Sequence, residues 1–410
     1  MQTESPVNIK MDSHFDAKIV RSAQAPAPGR LNRYKNAPDL GPRLLFFSGG
    51  TALREVSREL IRYTHNSIHI ITPFDSGGSS AELRKAFHMP AVGDIRNRLL
   101  ALADQEGQGS PEIYTLFAHR LGKAEAGEEL FESLTRMARG THALVAQIPD
   151  PMGRIIRRHL SFFLAHMPEK FNLKGASIGN LVLAAAYLDN GRLLDPAIDG
   201  FSNLVRVRGT VRPVVNVYRH LVAELASGKI LVGQHRLTGK DATPIRSRVT
   251  RLYLSEKSRA PSPATVEISS EMRNLIQSAE LICYPMGSFF SSVIANLLPL
   301  GVGDAIRQAN CPKIYIPNTF PDPESWGLDP ASQTEALLSY LQADGSDRID
   351  NQQVLDGVVV DRNRGQYAEP IDERRLKAMG IDVIDYPLIS RVSAPGVDAR
   401  RLVELLIALI

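Results

Sequence analysis

Short apolar runs at residues 44–47, 68–71, 281–284, 314–316, 358–360 and 383–386 alternate with helical patterns, and most run into polar or Gly/Pro-containing turns. A chain built from brief β-like runs and amphipathic helices has few ways to bury both. The rhythm predicts an α/β fold with a mostly parallel sheet and helices on both faces. Two regions interrupt it. Residues 128–190 read as helical throughout and predict a helical insertion. Residues 204–268 read as a small β element with strands at 204–207, 214–217, 230–232 and 251–254. Both attach to one domain spanning 41–410. Residues 1–40 carry neither period and read as a flexible N-terminal arm or a surface strap. Gly107, Gly109 and Pro111 mark one loop and Asp344-Gly345-Ser346-Asp347 another, while 402–410 predicts a terminal helix with Asp398 as its candidate cap.

Composition narrows the class. With 43% hydrophobic and 22% charged residues in 410, the chain can bury a full core. Its two cysteines, Cys283 and Cys311, lie in apolar segments and support neither a disulfide framework nor a Cys-based zinc site, so a reducing cytosol fits best. No apolar run approaches the roughly 18 residues of a membrane span, and no secretory h-region opens the chain, so a cytoplasmic location with no membrane partner is expected. Charge is unevenly spread. From Arg206 to Arg259 twelve Lys/Arg face three acids, and from Phe320 to Glu373 three Arg face twelve acids. These read as solvated or mutually attracting faces; Tyr218 and Tyr253 are too few for a stacking platform, which makes nucleic acid an unlikely partner.

Chemistry concentrates at the turns. The first run ends in Phe47-Ser48-Gly49-Gly50-Thr51, after which Leu53, Val56, Leu60 and Ile61 recur at helical spacing. Glycines there let backbone N–H groups approach a ligand, and the helix N-terminus adds partial positive charge, so the turn favours phosphate. The second run enters Asp75-Ser76-Gly77-Gly78-Ser79-Ser80. An acid at a strand's carboxyl end followed by such a turn can hold a divalent cation and present donors to phosphate; the plainer reading is an Asx cap. In Gly93-Asp94-Ile95-Arg96-Asn97, Asp94 suits an N-cap, whereas Arg96 gains nothing from the helix dipole and is either an anion's partner or a surface arginine. Gly287-Ser288, with Ser291 and Ser292, follows the 281–284 run and offers hydroxyls to a nucleotide or caps to a helix; Asn318 ends the 314–316 run. Gly175-Ala176-Ser177-Ile178-Gly179 matches the nucleophile-elbow pattern, but the polar stretch before it is no buried strand. A helix start with Asn180 facing a cleft is the better reading. No Gly-x-x-x-x-Gly-Lys-Ser/Thr or Gly-x-Gly-x-x-Gly turn is present, which disfavours a P-loop NTPase and a standard dinucleotide fingerprint. A cation here would be hard and oxygen-bound, with Mg²⁺ the natural candidate beside a diphosphate.

Gly49-Gly50-Thr51, Asp75 to Ser80, Gly93 to Asn97, Ser177-Ile178-Gly179-Asn180, Gly287-Ser288 with Asn296-Leu297-Leu298, and Asn318 follow one another as in the CofD-like superfamily, which the chain resembles from Leu44 to its C-terminus. That superfamily holds 2-phospho-L-lactate transferase and the YvcK-type gluconeogenesis factors, and the Asp75 and Asp94 blocks lean towards the latter. The resemblance implies a Rossmann-like core, a GDP- or UDP-linked nucleotide diphosphate conjugate at the strand carboxyl ends, Mg²⁺ and a homodimer. It implies either a transferase that passes a phosphoryl-linked group to an alcohol with release of nucleoside monophosphate, or a non-catalytic UDP-sugar-binding regulator. Carried over by position, Asp75 and Asp94 are the catalytic and metal carboxylates. Gly49, Gly50, Thr51, Gly77, Gly78, Ser79, Arg96, Asn97, Asn180, Gly287, Ser288 and Asn318 are the nucleotide and phosphate set. Three departures stand out. Ser76 replaces a second Asp, Pro285-Met286-Gly287-Ser288-Phe289-Phe290 replaces Gly-Pro-Gly-Ser-Leu-Tyr, and Asn318-Thr319-Phe320-Pro321-Asp322-Pro323-Glu324-Ser325 replaces Asn-Val-Met-Thr-Gln-Pro-Gly-Glu-Thr. They bear on the base and the acceptor more than on the phosphate cradle.

Overall fold

Strand β1 (Leu44–Ser48) is buried along its whole length, as an interior strand covered on both faces must be. The computed structural model describes residues 25–105, 109–237, 246–344 and 349–410. Around β1 it places β2 (Ile68–Ile71), β3 (Thr210–Pro213), β7 (Leu281–Tyr284), β8 (Lys313–Tyr315), β9 (Gly357–Val360) and β10 (Asp382–Asp385) in a seven-stranded sheet. The order is β10-β9-β8-β7-β1-β2-β3, and every pairing is parallel. From β1 the chain winds outward through β2 to β3, then returns to lay β7 against the other side of β1 and winds outward to β10. This is a doubly wound Rossmann-like sheet, and its direction reverses between β1 and β7. At such a switch point the loops leaving the strand carboxyl ends diverge and open a crevice. The remaining strands, β4 (His220–Leu225), β5 (Ile230–Val232) and β6 (Val249–Ser255), form a small antiparallel sheet in the order β5-β4-β6.

Alternation along the strands sends Leu45, Phe47, Ile68, Ile70, Ile282 and Tyr284 into one core and Leu44, Phe46, Leu281 and Cys283 into another. A third core gathers the helices between residues 78 and 205. The predicted 128–190 insertion is occupied by helices Gly127–Arg139, Ala143–Ala146, Met152–His166 and Ile178–Asp189.

Some expectations shift. The strand expected at 204–207 is instead the end of helix Leu194–Val205, and the one at 214–217 lies earlier, at β3. That strand belongs to the main sheet rather than to the small β element. It tolerates Pro213 because an outer strand pairs on one side only. Residues 28–40 are no flexible arm: helix Pro28–Asn36 starts on a proline and packs against helix Ala399–Ala408, with Arg30 Nη1 donating to Ile410 O at 2.5 Å. Residues 1–24 of that arm, Gly107, and Gly345 to Asp347 lie outside the described residues. The terminal helix is capped by Asp398, which accepts from the backbone N–H of Arg400 and Arg401. Both cysteines are free thiols. Among the described residues, no helix is long and apolar enough to cross a membrane.

Candidate functional site

At the carboxyl ends of β1, β2 and β7 a cavity of about 590 Å³ opens. Its wall contains Gly49, Gly50, Thr51, Asp75, Gly77, Gly78, Ser79, Asp94, Arg96, Asn97, Asn180, Gly287 and Ser288. Of the catalytic, metal, nucleotide and phosphate set carried over by position, Asn318 alone is missing from it, and Ser291, offered as a further hydroxyl, is also absent.

The Gly49-Gly50 turn is held tightly from behind. A Cβ on Gly49 would lie 2.9 Å from Ser292 Oγ, 3.0 Å from Thr72 Cγ2 and 3.1 Å from Asp94 Oδ2, so no side chain fits. Gly50 has φ +43° and nothing within 4 Å of a would-be Cβ, so its backbone faces open cavity. Behind the turn the fully buried Arg98 donates to Leu53 O at 2.9 Å, to Ser57 Oγ and to Ser48 Oγ at 3.3 Å. Asn296 Nδ2 donates to Ser48 O at 3.0 Å.

Asp75 does serve as an Asx cap, its Oδ1 accepting from Gly77 N at 3.0 Å. Its Oδ2 lies 3.5 Å from the position of a Cβ on Gly93, the residue before Asp94. Ser80 Oγ, which accepts from Gly93 N at 3.1 Å, packs closer still, so only a glycine fits there. Asp94 sits within the first turn of helix Gly93–Ala101 and not at its N-cap, which is Val92.

Arg96 is buried, and its guanidinium makes no hydrogen bond among the described residues; Nε has no partner at all. Its stem runs over Gly179, where a Cβ would meet Arg96 Cγ at 3.0 Å. This explains the second glycine of the elbow-like pattern. Burial, then the neighbouring Arg120 and Arg54, push the Arg96 guanidinium down to about 10, and Asp94 offsets this only in part. A desolvated cation compensated only in part has donors to offer an anion. Ser177 is fully buried at the N-cap of helix Ile178–Asp189 with its Oγ donating to Phe117 O, which leaves no exposed nucleophile. Asn180 Nδ2 donates to Ser79 Oγ at 2.8 Å, while its Oδ1 is buried without a partner.

The β7 loop departs from expectation. Gly287 N was expected to grip phosphate, but it donates to Asn318 Oδ1 at 2.8 Å, and Asn318 Nδ2 returns a bond to Gly287 O at 2.6 Å. Asn318 therefore braces the loop from behind. Phe289 N donates to Asp322 Oδ2 at 3.0 Å, and Ser291 N and Oγ donate to Glu324 at 2.7 and 2.5 Å. The chain's own acceptors satisfy these amides, which leaves Ser288 and the loop's open face for a ligand. Burial foremost, and repulsion from Asp322 second, push the Glu324 carboxyl up to about 7; burial likewise raises Asp322.

That shift has a sign. A carboxyl whose folded pKa exceeds its unfolded 4.5 stabilises the fold most at low pH, and the contribution is lost between 4.5 and about 7. Glu324→Gln keeps an acceptor for Ser291 N and removes the titration. The variant's unfolding free energy relative to wild type is therefore expected to rise by on the order of 3 kcal/mol from pH 5 to pH 8. Denaturant titrations at several pH values check this, and a flat difference would refute it. Comparing the two proteins cancels titrating groups that do not feel Glu324, such as the buried, neutral-favouring His69; Asp322 does feel it, and its own titration shifts with the substitution.

Arg120, Gln234, His235 and Phe320 also line the cavity and went unnoticed as candidates in the sequence. Val232-Gly233-Gln234-His235 repeats the strand, glycine and polar-residue pattern used elsewhere and was legible by it. Arg120 has no such local mark. Its Nη1 donates to Gly175 O at 3.1 Å, and its site role arises only from packing. Ser76, where the family pattern has an acid, lies 2.8 Å from His235 Nδ1 and so ties the Asp75 loop to the small sheet.

Residues 44–389 match the family model described as 2-phospho-L-lactate transferase CofD. The gluconeogenesis factor of Bacillus subtilis (strain 168) is 29% identical over 350 residues, which cover 84% of this chain and 90% of that protein. A putative gluconeogenesis factor of Thermoanaerobacterium thermosulfurigenes is 28% identical over 383 residues, covering 90% and 97% respectively. A crystal structure of a UPF0052 family protein from Bacillus halodurans aligns with TM-score 0.64 and 25% identity over 89% of this chain and 98% of that one. The matched span takes in every strand of the seven-stranded sheet and the whole rim of the cavity, and the chain belongs to the CofD family.

Proposed function

We propose that the cavity binds a nucleotide diphosphate conjugate together with Mg²⁺, and that the protein transfers the phosphoryl-linked part of that conjugate to an alcohol. One observation carries the reading: a glycine turn, two carboxylates and a buried arginine without a hydrogen-bond partner meet in one cavity at the sheet's switch point. Among the described residues no group of three or more His, Cys, Asp or Glu could enclose a metal ion. Asp75 and Asp94 alone suit Mg²⁺, which commonly takes one or two carboxylates and completes its shell with phosphate oxygens and water. Bound there, the ion would neutralise charge at the diphosphate bridge. Arg96 and Arg120 donate to phosphate oxygens, and the Gly50 and Gly78 backbone lets those oxygens approach. Asn180 Oδ1 accepts from a ligand hydroxyl. The alcohol oxygen attacks the phosphorus that carries the transferred group, its proton passes to Asp94, and the bridging oxygen leaves with the nucleoside monophosphate.

The second reading is a regulator that binds a nucleotide sugar without turnover. The Ser76–His235 hydrogen bond favours it, because a hydroxyl tied to the small sheet stands where the transferase pattern has its second acid.

Calorimetric titration with GDP, UDP and their conjugates, with and without Mg²⁺, tests binding. Chromatography of the incubated mixture tests turnover: released nucleoside monophosphate favours the transferase, and an intact conjugate the regulator. Asp75→Asn is expected to abolish the Mg²⁺-dependent part of the affinity. Wild-type behaviour in that variant would remove Asp75 from the site.

A further inference from the structure

The cavity lining is mixed: Asp75, Asp94, Arg96, Arg120 and Asn180 are charged or polar, whereas Ala52, Pro285, Met286, Val293 and Phe320 are apolar. Phe320 is the one phenyl, phenol or indole ring among the described lining residues, and it is 44% exposed. An aromatic face left in water at a cavity mouth is a cost that a ligand can remove.

The loop that carries it is fixed on both sides. Before it, Asn318 is doubly bonded to Gly287, and Thr319 Oγ1 donates to Pro395 O at 2.7 Å while Thr319 O accepts from Gln366 N at 2.7 Å. After it come Pro321 and then Asp322, anchored by Phe289 N. Phe320 is thus presented on a braced backbone, so little conformational freedom is lost when a ring settles on it. It also stands where the family pattern has a methionine, which makes it a feature of this chain.

Resting on the nucleotide reading above, the geometry points to Phe320 as the nucleobase platform of this site. A planar heteroaromatic base stacks on the phenyl ring while the diphosphate reaches across to Arg96 and the Gly49-Gly50 turn. Stacking tolerates any base, and a purine covers more of the ring than a pyrimidine.

The test is calorimetric titration of wild type, Phe320→Ala and Phe320→Trp with GDP, UDP and inorganic pyrophosphate, all in Mg²⁺. Phe320→Ala is expected to weaken GDP by about 5- to 150-fold and UDP by less, with pyrophosphate unchanged and Phe320→Trp close to wild type. Three results would overturn the assignment. The first is an unchanged GDP affinity in Phe320→Ala, which would leave the ring to an acceptor molecule. The second is an equal loss for GDP and pyrophosphate, which would mark a structural role. The third is a wild type that binds pyrophosphate as tightly as GDP, which would deny any base contact while leaving the phosphate site standing. A wild type that binds none of the three probes would refute the nucleotide reading itself, and this assignment with it.

Discussion

Arg96→Met is expected to stabilise the ligand-free protein by about 1–4 kcal/mol while weakening Mg²⁺-pyrophosphate and nucleotide diphosphates by roughly 30-fold or more. The two effects share a cause. In the empty cavity the guanidinium is buried beside Arg120 and Arg54, with no hydrogen bond among the described residues and only partial relief from Asp94. Its charge is a cost until an anion arrives. Methionine matches the length of the stem that crosses Gly179 and so keeps that packing while removing the charge. Denaturant unfolding and calorimetric titration of the same preparation read both quantities. A variant that is less stable and still binds pyrophosphate normally would show Arg96 to be a structural residue.

Two positions along the same helix, Arg98→Met is expected to do the reverse and destabilise the fold by about 2–4 kcal/mol. Arg98 is as deeply desolvated as Arg96, and burial likewise pushes its guanidinium down to about 10. The difference is that Arg98 donates to Leu53 O, Ser57 Oγ and Ser48 Oγ. Removing it takes the donor from Ser48 Oγ in a dry interior, although Leu53 O keeps Ser57 N and Ser57 Oγ, and it takes a cation away from Asp94. Relief of its own desolvation offsets only part of that loss. The Gly49 turn loses its rear support, so ligand affinity should fall together with stability, and added ligand should recover some of the stability. Unchanged unfolding free energy would mean that water replaces the guanidinium without cost.

These opposite expectations mark the boundary of what the chain reveals locally. Arg96 and Arg98 are both arginines near the start of one amphipathic helix, and no periodicity separates them. Their roles differ because Leu53 and Ser48, about fifty residues earlier, pack behind one of them and open cavity lies before the other. Asn318 and Gly287 repeat the lesson. Each ends a β-like run and each reads as a ligand contact, yet neighbouring strands of the sheet bring them together and they satisfy one another. Phe320 and Arg120 carry no local mark at all.

Much was legible nonetheless. Interior parallel strands are covered on both faces, so they must be unbroken apolar runs, and six of the seven strands of the main sheet lie within a residue or two of where such runs stand. β10, although an outer strand, still shows such a run, whereas β3 at the opposite edge escaped because Arg212 and Pro213 break it. The glycine turns were legible because a backbone packed as closely as Gly49 is, or turned to a positive φ as Gly50 is, needs residues without a Cβ at that point in the chain. Which turns share a cavity, which amides remain open to a ligand and which buried charge has a partner depend on contacts between residues far apart in sequence, and those exist only once the sheet has wound in both directions from β1.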